Sequence, residues 1–284
     1  MNARFPLRQC IWQHWTAGAA TTDRACEFAF AQTDHEQDMV ALGSRCLNVM
    51  AAGLVNIQLC AEAIELVLPH IANLPDASAA SLASSASSHA WHVRKAILPF
   101  LRTVAYGSLL DVPRFVSIVW TISRLLHDSQ LEVRELASQT LAGLLRCAPA
   151  SCLVELRAEC CATLSKKRAR TEEPEPPAAA SAASAALAIA SRKLDLAAKQ
   201  HGAILGLSAL VLAFPLELPD WMPDVLMVLA KFGDMPNPIK ASVARTLKEF
   251  RRTHQDMWFE HKQAFTPLQL DIIETPVAPP LYYA

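Results

Sequence analysis

The stretch LLHDSQLEVRELASQTLAGLLR, residues 125–146, holds the end of one helix, a polar turn and a second helix. In the second helix, apolar residues recur at spacings of three and four, the period of a helix with one buried face. The polar turn, residues 127–130, is short enough to join the two helices as a hairpin. The stretch therefore predicts an all-α protein built from helical pairs. The residues of the expected buried face are Val133, Leu136, Ala137, Thr140, Leu141, Leu144 and Leu145.

Similar sequence segments, each with a cation before an apolar helical stretch, recur along the chain at intervals of about 40 residues. The step from Arg94 to Arg134 is 40 residues, and the step from Lys199 to Lys240 is 41. The middle step is 65 residues because a low-complexity insert lengthens it. Helical pairs with this period are typical of HEAT and armadillo repeats. An acid in the turn, Asp128, is expected to pair with charges of neighbouring repeats. We predict a HEAT-like α-solenoid with an extended C-terminal tail; the alternative is an irregular helical bundle with chance spacing.

Two low-complexity segments divide the chain, because alanine, serine and charged runs bury too little apolar surface to order themselves. They predict an Ala/Ser linker and a disordered basic, Pro- and Ala-rich loop, whose Ala-rich end could form nascent helix. The predicted organisation is an N-terminal helical segment expected to hold further repeats (1–75), the linker (76–88), HEAT-like repeats (89–164), the loop (165–190), further HEAT-like repeats (191–275) and the tail (276–284).

The composition excludes several classes of protein. A net charge of −1 argues against a broad nucleic-acid surface, and only 8 glycines argue against phosphate-cradling loops. The longest apolar run, residues 203–216, is too short to span a bilayer, and the N-terminus lacks the apolar core of a secretory signal. The eight cysteines form no CxxC pair, which favours reduced, mostly buried thiols in an intracellular protein. We expect no cofactor, no membrane and no direct nucleic-acid partner.

Catalytic motifs are also missing from the sequence. It contains no GxSxG, no phosphate-binding GxxxxGK and no HExxH. His254 and His261 lie near Glu260 in a polar helical stretch, which favours a solvated or partner-facing surface over an acid–base site. The chain is therefore predicted not to be an enzyme, and its function should lie in surfaces and tails.

Several stretches together resemble the C-terminal end of the proteasome activator complex subunit 4 family, very large monomeric HEAT-repeat activators that cap the core proteasome. The stretches are WHVRKAILPFL, LLHDSQLEVRELASQTLAGLLRC, KKRAR, KQHGAILGLSALVLAFPLELPDWMPDVLMVLA, FRRTHQDMWFEHKQAFTPLQL and the terminal YYA. Family members are several-fold longer, so a fragment, a truncated gene product or a split subunit is expected. The resemblance implies a non-catalytic peptidase regulator in nucleus and cytoplasm, with roles in ubiquitin-independent degradation and DNA repair.

The same resemblance implies a role for the last three residues, Tyr282, Tyr283 and Ala284. In the family, such a tail enters a pocket between adjacent α-subunits of the core-particle ring and favours the open gate. Two other interpretations stay open. Residues 276–279 match PxxP, which an SH3 domain could bind, although no lysine or arginine lies nearby. A disordered terminus without function is the plainer alternative.

Two further features concern the nucleus. The basic cluster Lys166, Lys167, Arg168 and Arg170 predicts a nuclear localisation signal, the alternative being a solvated charge run. The family is also credited with bromodomain-like binding of acetylated histones through an Asn-Phe pair. This chain has Ala148-Pro149 at that place, so no residue is assigned to acetyl-lysine. The alternative function is a generic HEAT scaffold or a nuclear or chromatin adaptor.

Overall fold

The computed structural model describes residues 86–169 and 182–274, with side chains over 91–165 and 194–273, and three isolated helical residues, Arg45, Cys46 and Val49. Within this part of the chain every regular element is helical, nine α-helices and one 3₁₀ turn, which confirms the all-α class. The elements are α1 (Ala86–Gly107), α2 (Val112–Leu125), α3 (Leu131–Leu145), α4 (Ala150–Ala169), α5 (Ala182–Leu212), α6 (Met222–Ala230), α7 (Ile239–Thr253), α8 (Trp258–His261), the 3₁₀ turn (Lys262–Ala264) and α9 (Pro267–Glu274).

Helix α2 shows how local sequence sets a helix start. The carboxylate of Asp111 accepts a hydrogen bond from the backbone N–H of Arg114 at 3.3 Å, which satisfies one of the unpaired groups of the first turn. The Arg114 guanidinium also lies 2.7 Å from the same carboxylate. Pro113 stands in the first turn, where its missing N–H costs nothing.

Helix α3 confirms the buried face predicted from its apolar spacing. Six of the seven predicted positions are buried, and Leu136 is half-buried. Glu132 and Gln139 face outward, whereas the polar residues Arg134 and Ser138 are buried with the apolar face. The 3.6-residue period of the sequence is therefore enough to orient this helix.

The helices alternate between two layers. Helices α1, α3, α5 and α7 pack side by side in chain order and form what we call the central row. Helix α2 packs on α1 and α3, α4 packs on α5, and α6 packs on α5 and α7. Helix α9 then packs on α6. A helical-pair repeat requires this alternation, whereas the superhelical solenoid itself stays a prediction.

The helices of the central row run parallel to one another. In α3 and α5, Arg134 contacts His201, and Ser138, one turn later, donates to the Leu205 carbonyl, also one turn later. In α1 and α3, the Tyr106 hydroxyl near the end of α1 donates to the carbonyl of Gly143 near the end of α3. Between α5 and α7, His201 contacts Ser242 near the start of α7, and His254, just after α7, contacts the Glu217 carbonyl beyond the end of α5. The C-terminal ends of the four helices therefore lie on one side of the molecule.

One glycine sets the distance between α5 and the turn before α3. A Cβ atom at Gly202 would stand 2.1 Å from the carbonyl oxygen of Leu126 and 2.7 Å from Nδ1 of His127. Real Cβ atoms do not approach so closely, so only glycine permits the contact seen here. This close approach packs α5 directly against the turn between α2 and α3.

Helices extend into both segments that the sequence assigned to low-complexity connections. Helix α4 continues to Ala169 and α5 begins at Ala182, inside the predicted loop 165–190. Helix α1 begins at Ala86, inside the predicted linker 76–88. Alanine is the strongest helix former, so the Ala-rich sequence before residue 191 extends α5 towards its N-terminus. No helix in these described ranges is both long and apolar enough to cross a membrane.

Candidate functional site

A buried ion pair links neighbouring helical pairs. The carboxylate of Asp128, in the turn before α3, accepts from Nε of Arg94 on α1 at 2.5 Å and from its Nη2 at 3.1 Å. Asp128 is fully buried, and it also accepts from the backbone N–H of Gln130 at 2.9 Å. Both oxygens of the buried carboxylate thus accept hydrogen bonds, and a cation compensates its charge, which a buried charge requires. The pairing between repeats that the turn acid predicts is present here.

Arg134 continues this connection towards the next helix of the central row. Its Nη1 donates to the carbonyls of Asp128 and Ser129 at 2.6 and 3.0 Å, and its Nε donates to Nδ1 of His201 at 3.2 Å. Since a guanidinium only donates, Nδ1 must be the unprotonated nitrogen. The ring proton is then on Nε2, which donates to the Ser242 hydroxyl at 2.9 Å. We call these five residues, Arg94, Asp128, Arg134, His201 and Ser242, the polar ladder.

The polar ladder corrects the repeat positions inferred from the sequence. The cations expected at Lys199 and Lys240 are exposed and take no part in it. The ladder uses His201, 67 residues after Arg134, and Ser242, 41 residues after His201. The repeat positions inferred from the sequence, Lys199 and Lys240, therefore lie two residues before the equivalent positions in the structure. A histidine and a serine, and not the two lysines, occupy the buried positions equivalent to Arg94 and Arg134.

The His201–Ser242 contact has the atoms of a hydrolase dyad but not its protonation pattern. A serine hydrolase needs a histidine whose Nε2 can accept the serine proton and whose Nδ1–H is held by an acid. Here a cation, Arg134, faces Nδ1, and Nε2 already carries the proton. Burial, together with the charges of Arg134 and Arg245, lowers the pKa of His201 to about 4. Ser242 is also buried. The ladder is therefore structural and not catalytic.

The surroundings of His254 also differ from those predicted. His254 was expected on a solvated or partner-facing helix, but it is buried, because α7 ends at Thr253 and the following turn folds the imidazole back onto Phe250. The two ring centroids are 4.2 Å apart. His254 Nδ1 lies 3.0 Å from the Phe250 carbonyl, and its Nε2 lies 3.3 Å from the Glu217 carbonyl. Burial, and then the nearby His254, lower the pKa of His261. The contacts of His254 fix the end of α7. The Thr253 hydroxyl also lies 3.0 Å from Nδ1 of His254, but it is directed at the backbone carbonyls of Glu249 and Phe250.

An aromatic cluster holds the last short elements onto α7. The ring of Phe250 meets Trp258 of α8 and Phe265, each at a centroid distance of 6.5 Å and close to edge-to-face. Trp258 and Phe265 are 5.8 Å apart. Aromatic triads of this geometry contribute beyond their buried area. The chain between α7 and α9 is therefore anchored to the core.

Helix α9 places the origin of the tail. The Thr266 N–H donates to Gln269 Oε1 at 2.9 Å, and the Gln269 N–H donates to Thr266 Oγ1 at 3.4 Å, a capping box. At its other end, Ile273 is buried in the core. The guanidinium of Arg251, in the last turn of α7, donates to the Ile273 carbonyl. Both ends of α9 are thus fixed, and residues 275–284 start from a defined point.

Three large apolar side chains of α8 and α9 are exposed. Phe259 of α8 is 73% exposed, and Leu268 and Ile272 of α9 are 71% and 41% exposed. The Lys262 ammonium lies over the Phe259 ring, 4.6 Å from its centroid. We call Phe259, Leu268 and Ile272 the apolar rim. Sequence reasoning missed it because the stretch reads as a polar helix.

The residues predicted as sites are only partly described. The tail residues, 282–284, and the rest of 275–284 lie outside the described residues. Lys166, Lys167 and Arg168 belong to the last turn of α4, while Arg170 lies outside the described residues.

The remaining candidates give no site. Ala148 and Pro149 lie in the turn between α3 and α4, and neither side chain can donate to an acetyl group. All five described cysteines are free thiols, but only Cys152 and Cys160 are buried, fewer than expected. Burial raises the pKa of Cys160 to about 12. In the described ranges, no group of three or more histidine, cysteine or acidic residues could hold a metal ion.

Comparisons with known proteins agree on one family. The family described as "Proteasome activator complex subunit 4-like, C-terminal" matches residues 197–284. Proteasome activator complex subunit 4 of Homo sapiens is 34% identical over 267 residues, which cover 91% of this chain and 13% of the human protein. Subunit 4B of Danio rerio is 36% identical over 247 residues, 84% of this chain and 12% of that protein. Proteasome activator subunit 4 of Arabidopsis thaliana is 34% identical over 206 residues, 71% of this chain and 10% of that protein. The chain therefore spans about an eighth or less of the length of these relatives.

Proposed function

Because the chain belongs to the family of proteasome activator complex subunit 4, we propose that it binds the α-ring of the core proteasome and favours the open gate. Ubiquitin-independent degradation of the proteasome's substrates would follow. The observation that carries the proposal is that the family match runs through α9 to the last residues, Tyr282, Tyr283 and Ala284. The chain would act as a regulator, and the hydrolysis would belong to its partner.

The tail has the chemistry that such docking needs. The Ala284 carboxylate would pair with a lysine of a pocket between two α-subunits. Tyr283 would press on a reverse turn at the pocket rim, and Tyr282 would add apolar contact. Prolines at 276, 279 and 280 bias the tail towards polyproline II, so less conformational entropy is lost on docking.

The expected energies make one tail a weak ligand. Burying two tyrosines would contribute roughly 2–3 kcal/mol each, and a paired carboxylate on the order of 1–3 kcal/mol. Several kcal/mol of association entropy oppose this. Tight binding therefore needs a second contact that keeps the tail at high effective concentration. The chain on its own should bind more weakly than a full-length activator, and equal affinities measured side by side would refute this.

Two features of the described residues support the proposal. Helix α9 is fixed at both ends, so the tail would leave from a rigid base instead of a long flexible connection. The His201–Ser242 pair, which resembles a catalytic dyad in composition, has the wrong protonation pattern for catalysis. Both suit a regulator that works through a tail.

The decisive experiment measures the peptidase activity of purified core proteasome with the whole chain. Deletion of Tyr282, Tyr283 and Ala284 is expected to abolish stimulation, because pocket entry requires both the aromatic side chains and the terminal carboxylate. Addition of one glycine after Ala284 should also reduce stimulation, since it displaces the carboxylate while leaving every native residue in place.

The matched control is Tyr106→Phe, which alters the remaining tyrosine of the chain. Tyr106 donates to the Gly143 carbonyl, far from the tail in sequence, so this variant should stimulate as the unaltered chain does. Full stimulation of peptidase activity by the tail-deleted chain would contradict the proposal and favour a generic helical scaffold or nuclear adaptor.

We also propose that the chain is distributed between nucleus and cytoplasm through the basic cluster Lys166, Lys167, Arg168 and Arg170. Four cations within five residues are the chemistry that an import receptor recognises. The first three occupy the last turn of α4, and terminal turns open at the lowest free-energy cost in a helix.

A further inference from the structure

We propose that the apolar rim, Phe259, Leu268 and Ile272, is a second contact with the same protein surface that receives the tail. This inference rests on the proposed function and deepens it, since it names the contact that a weakly binding tail requires. The partner surface would be apolar opposite these side chains and would carry a carboxylate opposite Lys262.

The first argument is the length of the tether. Ten residues, 275–284, connect the end of α9 to the proposed docking residues and include them. Fully extended, they reach about 33 Å at ~3.3 Å per residue. Ile272 lies two residues before the end of α9, and Leu268 lies one turn earlier. A partner that holds Tyr283 must therefore lie within this distance of α9.

The second argument is that α9 cannot swing away from its partner. Ile273 is buried, and Arg251 binds its carbonyl at the end of α7. The aromatic cluster holds α8 in the same way through Trp258. When the tail is docked, the outer sides of α8 and α9 therefore keep a fixed orientation next to the partner.

The third argument is the kind of side chain exposed there. On α9, Leu270 and Ile273 already supply the face that packs on the core, yet Leu268 and Ile272 are also apolar. Helix α7, by contrast, exposes cations such as Lys240 and Lys248, as a solvated face does. Aromatic side chains that a partner buries completely are typical centres of binding energy. Phe259 is the aromatic residue of the rim.

The fourth argument concerns Lys262. Its ammonium group lies over the face of the Phe259 ring. Among the described residues, no carboxylate lies within ion-pair distance of this ammonium group. A cation beside an exposed apolar group selects a partner that offers an acidic group at the edge of an apolar patch. This sets the chemistry of the surface that we infer.

The experiment compares binding of the whole chain to the core proteasome and, separately, its maximal stimulation of peptidase activity. A double variant, Phe259→Ala with Leu268→Ala, should raise the Kd about tenfold or more, while stimulation at saturation stays unchanged because the tail is intact. Lys262→Glu should weaken binding as well, because it would repel the inferred carboxylate. The matched control is Leu110→Ala with Leu194→Ala, two leucines that are 93% and 72% exposed outside the rim.

The outcomes separate this inference from the proposed function. Unchanged Kd of the rim variant, with stimulation still abolished by the tail deletion, would overturn the rim and leave the tail in place. Equal weakening by the control leucines would also overturn it. If the tail deletion changes nothing, or the unaltered chain does not bind, both ideas fail. Circular dichroism melts of each variant should match those of the unaltered chain, since the replaced apolar side chains are largely exposed and Lys262 is at least partly so.

Discussion

At the scale of single residues, the polar ladder depends on a neutral His201. Arg134 donates to one ring nitrogen, and the other donates to Ser242. A second ring proton would point an N–H at the Arg134 guanidinium and place two cations in contact. Burial and these neighbours accordingly lower the pKa of His201 to about 4.

The lowered pKa predicts the direction in which stability changes with pH. Above about pH 6.5 the ring is neutral in both states, so its full contribution to the free energy of unfolding is present. As the pH falls from 6.5 towards 4, only the unfolded chain takes up this proton, and stability is lost. The slope from one proton is at most about 1.4 kcal/mol per pH unit. Urea titrations of His201→Asn across this range should show a smaller slope than those of the unaltered chain.

Ser242→Ala is the control for the pH dependence. It removes the acceptor of the Nε2 proton but keeps the titrating ring, so it should lower stability at every pH and preserve the slope. His127 and His261 also have lowered pKa values from burial, but both are retained in each variant. An identical slope for His201→Asn and the unaltered chain would contradict the assignment.

Residue by residue, the sequence predicts apolar positions better than polar partners. The buried face of α3 followed directly from spacing, because burial depends on the period of one helix. The partner of Arg134 lies 67 residues away, and only packing of α5 beside α3 reveals it. The Asp128 side chain was recognisable as a turn acid, but its bond to Arg94 also required the tertiary arrangement.

At the scale of elements, close packing of α5 against the α2–α3 turn depends on a missing side chain. Gly202→Ala should normally stabilise a helix interior by about 1 kcal/mol. Here the added methyl would meet the Leu126 carbonyl oxygen at 2.1 Å, so α5 must shift away from the turn. We expect a net loss of about 1–3 kcal/mol or more in the free energy of unfolding, measured as a lower urea midpoint.

The same replacement at Gly107 is the matched control. Gly107 is exposed at the end of α1, and no described glycine has a positive φ. Gly107→Ala should therefore leave stability unchanged or raise it slightly. If Gly202→Ala proved as well tolerated as Gly107→Ala, the close approach would not be a constraint on this fold.

Helix limits were harder to predict than helix existence. The sequence of α3 carries a clear amphipathic period, which predicts the helix directly. The last turn of α4 lies in a basic run and the start of α5 in a sequence rich in alanine and serine, where composition alone predicts a loop. Whether such text is helical depends on the packed helix it adjoins, which local composition cannot report.

At the scale of the whole molecule, the basic cluster is expected to determine where the chain resides. The test is the nuclear fraction of the whole chain fused to a reporter too large for passive diffusion. Replacing Lys166, Lys167, Arg168 and Arg170 together by alanine should reduce that fraction several-fold, because the receptor reads clustered positive charge. Replacement of four exposed cations elsewhere, Arg102, Lys231, Lys240 and Lys248, should have no effect. Equal nuclear fractions for the cluster variant and the unaltered fusion would rule out the signal.

The family was recognisable from the sequence, and the comparisons confirm it. The tail motif is a local feature, and its final three residues can be read directly. The apolar rim could not be predicted from the sequence. Phe259 and Trp258 are adjacent aromatic residues, yet Phe259 is exposed and Trp258 packs against the core. Only the packing of Trp258 on Phe250 decides which of them faces outward.

The parallel helices of the central row add their peptide dipoles, so the side where α3, α5 and α7 end carries partial negative charge. Arg146 follows α3, and Arg251 and Arg252 lie in the last turn of α7, where this field favours cations. Helix α5 has no basic residue in its last turn, so its terminal carbonyl groups keep their negative potential. The arginines at the ends of α3 and α7 therefore compensate the summed dipoles of the row, and the end of α5 between them depends on its neighbours for that compensation.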